Sequence, residues 1–310
     1  MTPEKMPVRV SVILSTYNSE KTLQRALDSV LSQEGIHIDF EIELIVVDDC
    51  STDRTREILE ENKIGYVSTG ENSGGPNRGR NIGLNRATGD FFCIMDHDDE
   101  WLPDKLVSQL AVSHLAPIIS SGLTVIFRHR NRSADNFNQP RGDAGYNFYG
   151  KNVTFLTTLC RSTEGQASYI GSMLINSSLK HFRFEENFGK VDYDWGLKVF
   201  EGNCSVEVCR PLYKRYVEES NLSLNTGYRS VDFYFSLMIL DGYSERYPAE
   251  ARSGYKRLHG SRARFYYLTG NMKKARFYFA RSGWNIKTLL YYLTTFAGSR
   301  FVRKTFTVFG

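Results

Sequence analysis

The sequence lacks any apolar run close to the roughly 20 residues that a membrane-spanning helix needs. Its five cysteines are scattered and form no C-x-x-C pair, which predicts reduced thiols rather than a disulfide framework or a zinc site. Residues 1–9 contain no apolar core of the signal-peptide type. These absences predict a cytoplasmic protein, whose contact with a membrane would be peripheral, on the inner face.

Acidic residues are missing from the last part of the chain. Residues 251–310 contain 13 Lys and Arg and no Asp or Glu, so the other 250 residues hold 39 − 13 = 26 basic and 35 acidic residues. A basic, Tyr- and Phe-rich segment attached to an acidic main body predicts an anionic membrane surface as partner. A helical bundle with a solvated basic face is the alternative. Nucleic acid is not expected, because the main body is acidic and carries no nucleic-acid-binding motif.

Buried strands alternate with helices over the first 115 residues. The strand candidates are apolar and β-branched, and Leu23, Ala26, Leu27, Val30 and Leu31 form one helix face between the first two. The strand candidates are 8–14, 42–47, 64–68 and 90–95, with weaker ones at 168–175 and 205–208. This alternation predicts an α/β fold with a mostly parallel, Rossmann-like sheet and flanking helices, followed by a C-terminal helical segment from about residue 229.

Polar clusters follow three of these strands. They are Thr16–Asn18, Asp48–Asp49 and Asp96–Asp99. Ligands of open α/β sheets bind at the carboxyl ends of the strands, so these clusters are expected to converge on one site.

The segment Met95–Glu100 (MDHDDE) gathers four carboxylates in five positions. Such a cluster is costly without a counter-charge, and oxygen ligands suit Mg²⁺ or Mn²⁺, so Asp96 and Asp98 are the candidate metal ligands. A solvated acidic turn, in which Asp98 or Asp99 caps the next helix, is the alternative.

Two further segments carry weaker signals. The Gly-rich stretch 71–83 has Arg78 and Arg80 placed to face a diphosphate, but it has neither the P-loop nor the dinucleotide-binding form, and an ordinary loop is the alternative. Asp192 and Asp194 precede an amphipathic stretch, where a carboxylate is either a helix cap or a general base.

These motifs, in the order STYN, IVVDDCSTD, GRNIGLNRATGD, MDHDDEWLPDKL and VDYDW, resemble the inverting family-2 glycosyltransferases of GT-A fold, of the bacterial cell-surface polysaccharide type. The resemblance covers roughly residues 8–225. It implies residues 1–115 as the nucleotide-sugar-binding half, 116–228 as the acceptor-binding half and 229–310 as a helical tail.

The resemblance also implies roles for single residues. Asp48 would meet the base, Arg80 would lie near the base and diphosphate, Asp98 would be the direct metal ligand beside Asp96, and Asp192 would be the general base. The remaining nucleotide-pocket positions are Thr16, Tyr17, Asn18, Glu20 and Asp49. Gly171–Ser172 matches a small-residue stretch beneath the acceptor.

The implied reaction is transfer of one sugar from a nucleotide-sugar, expected to be a UDP-sugar, to a glycan or lipid-linked acceptor. No Q-x-x-R-W motif is present, so single transfer is expected rather than polymerisation. Val191 stands where the family has an acid, which leaves Asp194 as the alternative base and a catalytically impaired glycosyltransferase-like protein as an alternative function. A sugar-nucleotidyltransferase is a further alternative, although STYNSE stands where those enzymes carry G-x-G-x-R.

Overall fold

The computed structural model of the chain describes residues 7–128, 131–162, 164–187, 192–218 and 226–298. Val191 therefore lies outside the described residues, as do the last 12 residues of the basic segment. The chain divides into two compact units, the first formed by residues 1–155 and 165–228 and the second by 156–164 and 229–310.

The first unit is built on one mixed sheet. Its strands are β1 (Val8–Thr16), β2 (Phe40–Asp48), β3 (Tyr66–Ser68), β4 (Phe91–Asp96), β5 (Glu100–Trp101), β6 (Ile118–Phe127), β7 (Arg132–Asn136), β8 (Tyr146–Tyr149), β9 (Leu174–Asn176) and β10 (Ser205–Val217). Their order is β3-β2-β1-β4-β9-β6-β10-β5, with β7 on β6 and β8 on β10. The longest pairings, β1 with β2 and β10 with β6, are parallel, and the short strands β5, β7, β8 and β9 pair antiparallel.

Helices flank this sheet. They are α1 (Leu23–Leu31), α2 (Thr55–Glu61), α3 (Asn77–Arg86), α4 (Lys105–Leu110) and α6 (Tyr193–Phe200). A further helix, α5 (Val153–Leu159), begins in the first unit and continues into residues 156–164 of the second. Val12 and Leu14 of β1 pack with Leu27 of α1 in the main core, where all three are fully buried. Leu31, predicted on the buried face of α1, is 46% exposed because it is the last residue of the helix.

The weaker strand predicted over residues 168–175 is wrong in its first half. Residues Ile170–Ser172 form a 3-10 turn, and the strand is confined to β9. Gly171 packs so closely on Tyr213 that a Cβ atom there would lie 2.2 Å from the tyrosine hydroxyl oxygen. The turn therefore brings the backbone against the Tyr213 ring, which a side chain would prevent.

The second unit is helical. Its main helices are α7 (Thr226–Tyr243), α8 (Pro248–Leu268), α9 (Met272–Phe279) and α10 (Ile286–Thr294). Gly270, with φ +85°, turns the chain between α8 and α9. Tyr267, Phe279 and Tyr291 form the centre of a small aromatic core. Within the described residues, no helix combines the length and apolar character that crossing a membrane would require.

Candidate active site

Three parallel strands end at the same edge of the sheet. Thr16 at the end of β1 pairs with Asp48 at the end of β2, and Ser15 pairs with Asp96 at the end of β4. The three polar clusters predicted from the sequence therefore follow neighbouring strand ends, where open α/β sheets bind ligands.

The turns after β1 and β2 are joined to each other by hydrogen bonds. Asn18, with φ +47°, accepts the amide of Thr52 at 2.8 Å, and its own amide donates to Ser51 Oγ at 3.0 Å. Glu20 accepts the amide of Arg54 at 3.3 Å. Asn18 thus holds the turn after β2 and does not cap α1, whose N-cap residue is Thr22. Tyr17 remains 43% exposed beside it.

Asp48 and Asp49 are both buried and serve different loops. Asp48 accepts Arg56 Nε at 2.7 Å and the Ser51 hydroxyl, while Asp49 accepts the amide of Ser73 at 3.0 Å. These bonds fix the loops around the candidate nucleotide pocket, as does the buried Thr16 hydroxyl, which donates to Ser19 at 2.8 Å. The base contact of Asp48 stays a prediction.

Arg80 of α3 reaches the strand end of β4. Its guanidinium donates to Asp96 Oδ1 at 2.8 Å and to Asn77 Oδ1 at 3.3 Å, and its Nε is buried without a hydrogen bond. Burial lowers the pKa of Arg80, but the charges of Asp96 and Asp192 outweigh it and leave the pKa above its ordinary value. Asp96 and Asp192, far apart in sequence, therefore act on the same cation.

The acidic segment after β4 is not a solvated turn. Asp99 is buried, and its carboxylate accepts the Tyr213 hydroxyl at 2.6 Å and the Tyr216 amide at 2.9 Å, so it ties the segment to β10 and caps no helix. Burial, together with the neighbouring carboxylates, raises the pKa of Asp99 well above its usual range. Burial also raises the pKa of Asp98, and the charge of Asp96 adds to this despite the opposing effect of His97.

These carboxylates fit a divalent cation. Ionising neighbouring buried carboxyl groups is costly, and a bound cation would remove that cost for Asp98. Within the described ranges no set of three or more His, Cys, Asp and Glu side chains is arranged to hold a metal. Asp96 and Asp98 could then supply only part of a coordination sphere, which suits Mg²⁺ or Mn²⁺, since Mg²⁺ is usually bound by one or two carboxylates together with substrate phosphates. Their role as metal ligands stays a prediction.

Asp192 and Asp194 have different surroundings at the start of α6. Asp192 occupies the N-cap position, but its side chain makes no capping hydrogen bond. Asp194 lies in the first turn and is paired with Lys198 Nζ at 2.5 Å. The charge of Asp192 acts on Arg80, whereas Asp194 is ion-paired with Lys198. The assignment of Asp192 as the general base stays a prediction.

Sequence reasoning missed Tyr169 and Arg215. The Tyr169 hydroxyl donates to Asp96 Oδ2 at 3.1 Å, and the guanidinium of Arg215 lies 4.9 Å from the centre of the Tyr169 ring. Burial lowers the pKa of Arg215, but Tyr169, Asp99 and Asp96 raise it further, so it lies above its ordinary value. No motif marks either residue, because only the return of the chain through β10 brings Arg215 to the acidic segment.

A sequence model of the family described as Glycosyl transferase family 2 matches residues 11–166, just over half of the chain. The chain belongs to glycosyltransferase family 2. The family match contains Thr16, Asn18, Asp48, Arg80, Asp96 and Asp98, and it ends before Asp192. This match excludes the alternative that the chain is a sugar-nucleotidyltransferase.

Named relatives of this family member are glycosyltransferases of bacterial polysaccharide synthesis. Poly(ribitol-phosphate) beta-N-acetylglucosaminyltransferase TarS of Staphylococcus aureus is 46% identical over 96 residues, which are 30% of this chain and 16% of TarS. The putative teichuronic acid biosynthesis glycosyltransferase TuaG of Bacillus subtilis is 42% identical over 106 residues, 33% of this chain and 40% of TuaG. The aligned segments therefore span less than half of either relative.

Solved structures of TarS share the fold. The crystal structure of S. aureus TarS 1-349 in complex with UDP superposes with a TM-score of 0.60 at 20% identity, covering 88% of this chain and 78% of that one. The corresponding complex with UDP-GlcNAc gives a TM-score of 0.58 at 19% identity, covering 96% of this chain and 92% of that one. This likeness establishes the GT-A fold that the sequence predicted.

Proposed function

We propose that this family-2 glycosyltransferase moves one sugar from a nucleotide-sugar, expected to be a UDP-sugar, to a hydroxyl of a glycan or lipid-linked acceptor, with inversion at the anomeric carbon. One observation carries the proposal. At the carboxyl edge of the sheet, Arg80 donates a hydrogen bond to Asp96 and is also subject to the charge of Asp192, which supports a single site for binding the diphosphate and accepting the proton.

The printed names of the relatives support this donor and acceptor class. The TarS structures hold UDP and UDP-GlcNAc, and the names of TarS and TuaG refer to poly(ribitol-phosphate) and to teichuronic acid. A UDP-sugar and a cell-surface glycan, free or on a lipid carrier, are accordingly the first substrates to test.

Asp192 is the proposed general base. Its carboxylate would take the proton of the acceptor hydroxyl as that oxygen attacks the anomeric carbon, while the bond from this carbon to the diphosphate oxygen breaks and its electron pair leaves with the diphosphate. Because attack comes from the face opposite the leaving group, the product is inverted and no covalent enzyme intermediate forms.

Arg80 and Arg215 are the proposed contacts of the departing diphosphate. Both guanidiniums lie among the carboxylates of the acidic segment, and guanidinium groups match phosphate oxygens in geometry and charge. A divalent cation on Asp96 and Asp98 would offset the charge that grows on the diphosphate. The nucleoside part would lie against the joined turns, which carry Thr16, Tyr17, Asn18, Glu20, Asp48 and Asp49.

The proposal includes a place in the cell. The enzyme would work in the cytoplasm, with its basic C-terminal segment, residues 251–310, against the anionic inner face of the membrane. The charge of that segment, 13 basic and no acidic residues, supports this placement.

Calorimetry with UDP, GDP, CDP and ADP, each with and without Mn²⁺, tests the donor site. We expect UDP to bind more tightly than the other three, in a manner that requires Mn²⁺, and Asp98→Ala to abolish the effect of the metal. Proton NMR of the product formed from a panel of UDP-sugars would then identify the sugar and its anomeric configuration.

The results separate an active enzyme from an impaired one. If no nucleoside diphosphate bound in the presence of Mn²⁺, the donor-site assignment would be wrong. If UDP bound tightly but neither transfer nor slow hydrolysis of any UDP-sugar occurred, the chain would be a glycosyltransferase-like protein that has lost catalysis.

A further inference from the structure

Helix α10 turns its aliphatic residues outward. Their positions follow the i, i+3, i+4, i+7 spacing of one helix face. The exposed fractions are 80% for Ile286, 46% for Leu289, 55% for Leu290 and 54% for Leu293. Trp284 before the helix and Phe296 after it are also more than half exposed. We name this set of six residues the α10 face.

The opposite side of α10 is fixed to the helical core. The Tyr291 ring stacks on Phe279 with centroids 5.8 Å apart, and the Tyr267 hydroxyl lies 2.8 Å from Thr294 Oγ1. Asn285 caps the helix by accepting the amide of Thr288 at 2.8 Å. These contacts hold the side of α10 that carries Tyr291 and Thr294 against the helical core. The aliphatic side therefore faces outward.

The charged residues of the segment that carries the α10 face are of one sign. Lys287 lies within the helix and Arg281 just before it, both exposed, and no acidic residue occurs anywhere in 251–310. A second copy of the chain would bring two basic surfaces together, whereas anionic phospholipid offers an apolar interior beneath a negative headgroup layer. Apolar residues on one side, basic residues nearby and a Trp at the end are the features of helices that lie in the membrane interface.

We propose that the α10 face inserts into the headgroup region of an anionic membrane, with α10 parallel to the surface. Only one consequence, that the enzyme is thereby held beside a lipid-linked acceptor, rests on the proposed glycosyl transfer. The lipid contact itself rests on exposure, orientation and charge.

Trp284 provides a native probe for this contact. The chain has three tryptophans, and Trp101 and Trp195 are at most 2% exposed, so a change of solvent at Trp284 dominates any change in fluorescence. Titration of the full chain with phosphatidylglycerol vesicles should shift the emission to the blue. Phosphatidylcholine vesicles should give a much smaller shift, and salt should weaken the effect. Trp284→Phe should abolish the shift while leaving co-sedimentation nearly intact.

The double variant Leu290→Glu with Leu293→Glu tests the face directly. We expect its co-sedimentation with phosphatidylglycerol vesicles to fall at least about tenfold, because burial of two aliphatic side chains is lost and two negative charges are added. Ile38→Glu, at an 83% exposed position in the first unit, is the matched control and should bind as the unchanged chain does. Circular dichroism would check that both variants fold.

The proposal is overturned if the double variant binds vesicles as well as the control. It is also overturned if the chain without lipid self-associates in sedimentation velocity and the double variant does not, which would make the α10 face a contact between copies. These measurements contain no nucleotide and no acceptor. They can therefore overturn the membrane proposal while the donor site is intact, and loss of the donor-site assignment would leave the membrane proposal standing.

Discussion

At the scale of single residues, Asp192 and Asp194 are two positions apart, yet their carboxylates have different surroundings. Asp194 is ion-paired with Lys198, and the charge of Asp192 acts on Arg80. A general base must have its lone pair available to the acceptor hydroxyl, which an ion-paired carboxylate on the helix flank does not.

Asp192→Asn should therefore lower kcat by about 10²–10⁴-fold and change the UDP affinity little, since proton transfer is lost and the donor contacts remain. Asp194→Asn, the matched control, should keep kcat within about threefold, because an i, i+4 ion pair on a helix contributes little. Steady-state kinetics with a UDP-sugar and calorimetry with UDP measure the two quantities. The opposite ranking of the two variants would make Asp194 the base.

Arg215 and Lys214 are neighbours in β10 whose side chains also have different surroundings. Lys214 Nζ is paired with Glu100 Oε1 at 2.6 Å, whereas Arg215 lies over the Tyr169 ring, close to Asp96 and Asp99, and has no hydrogen bond or ion pair within the described chain. A guanidinium kept in place by an aromatic ring has its donors available for an incoming phosphate.

We predict that Arg215→Gln weakens UDP binding about 10–100-fold in the presence of Mn²⁺, which is the effect of losing a charge-assisted hydrogen bond. Uridine, which has no phosphate, should bind both proteins equally. Lys214→Gln should leave the UDP affinity unchanged. An equal loss for uridine and UDP would show that Arg215 supports the pocket as a whole and does not contact the diphosphate.

At the scale of elements, α3 owes its position to two glycines. A Cβ atom on Gly79 would lie 2.3 Å from Ser15 Oγ, and one on Gly83 would lie 2.3 Å from Ile13 Cγ2. The helix backbone thus lies directly on β1, and this close approach carries Arg80, between the two glycines, to the strand end of β4.

Gly83→Ala should lower the free energy of unfolding by about 1–3 kcal/mol, because Ile13 is fully buried and has no space to move. It should also weaken UDP binding through the displacement of Arg80. Gly196→Ala in α6, where a Cβ would meet no atom within 4 Å, should instead raise the free energy of unfolding by roughly 0.5–1 kcal/mol. Urea denaturation measures both, and equal effects in the two helices would contradict the close packing of α3 on β1.

The sequence indicated the parallel half of the sheet because most of β1 and β4 and the second half of β2 are buried on both faces and are therefore largely apolar. It did not indicate β7, whose five residues are all exposed, or β5, which has only two residues. Such strands have no apolar pattern of their own, and their pairing partners are decided by tertiary contacts.

Site residues likewise divide into those that a local sequence pattern indicates and those that only tertiary contacts bring into place. Residues that directly follow a buried strand, such as Asp96, could be assigned to the rim from the sequence alone. Arg215 could not, since its neighbour Tyr169 precedes an unpredicted 3-10 turn and its strand β10 was predicted only over its first four residues, 205–208.

At the scale of the whole molecule, the second unit includes a segment that lies, along the chain, between the two stretches that form the first unit. Residues 156–164 belong with 229–310, although the chain before and after them belongs to the sheet-containing unit. Arg161 donates from Nη1 to Ser236 Oγ at 3.0 Å and accepts Arg257 Nη1 at its carbonyl at 3.4 Å. The Leu159 carbonyl lies so close to α8 that a Cβ on Gly254 would be 2.4 Å from it.

A chain that ends at residue 228 should consequently lose the order of the inserted segment. Trypsin cleavage after Arg161 should become at least about tenfold faster than in the full chain, since a loss of ~1.4 kcal/mol of local stability raises the open population tenfold. A chain that ends at residue 282 keeps Ser236, Gly254 and Arg257, so it should be cleaved there at nearly the rate of the full chain. Limited proteolysis followed by mass spectrometry gives these rates. Equal cleavage of all three chains would mean that residues 156–164 are held without the C-terminal helices, which would contradict the division of the chain into these two units.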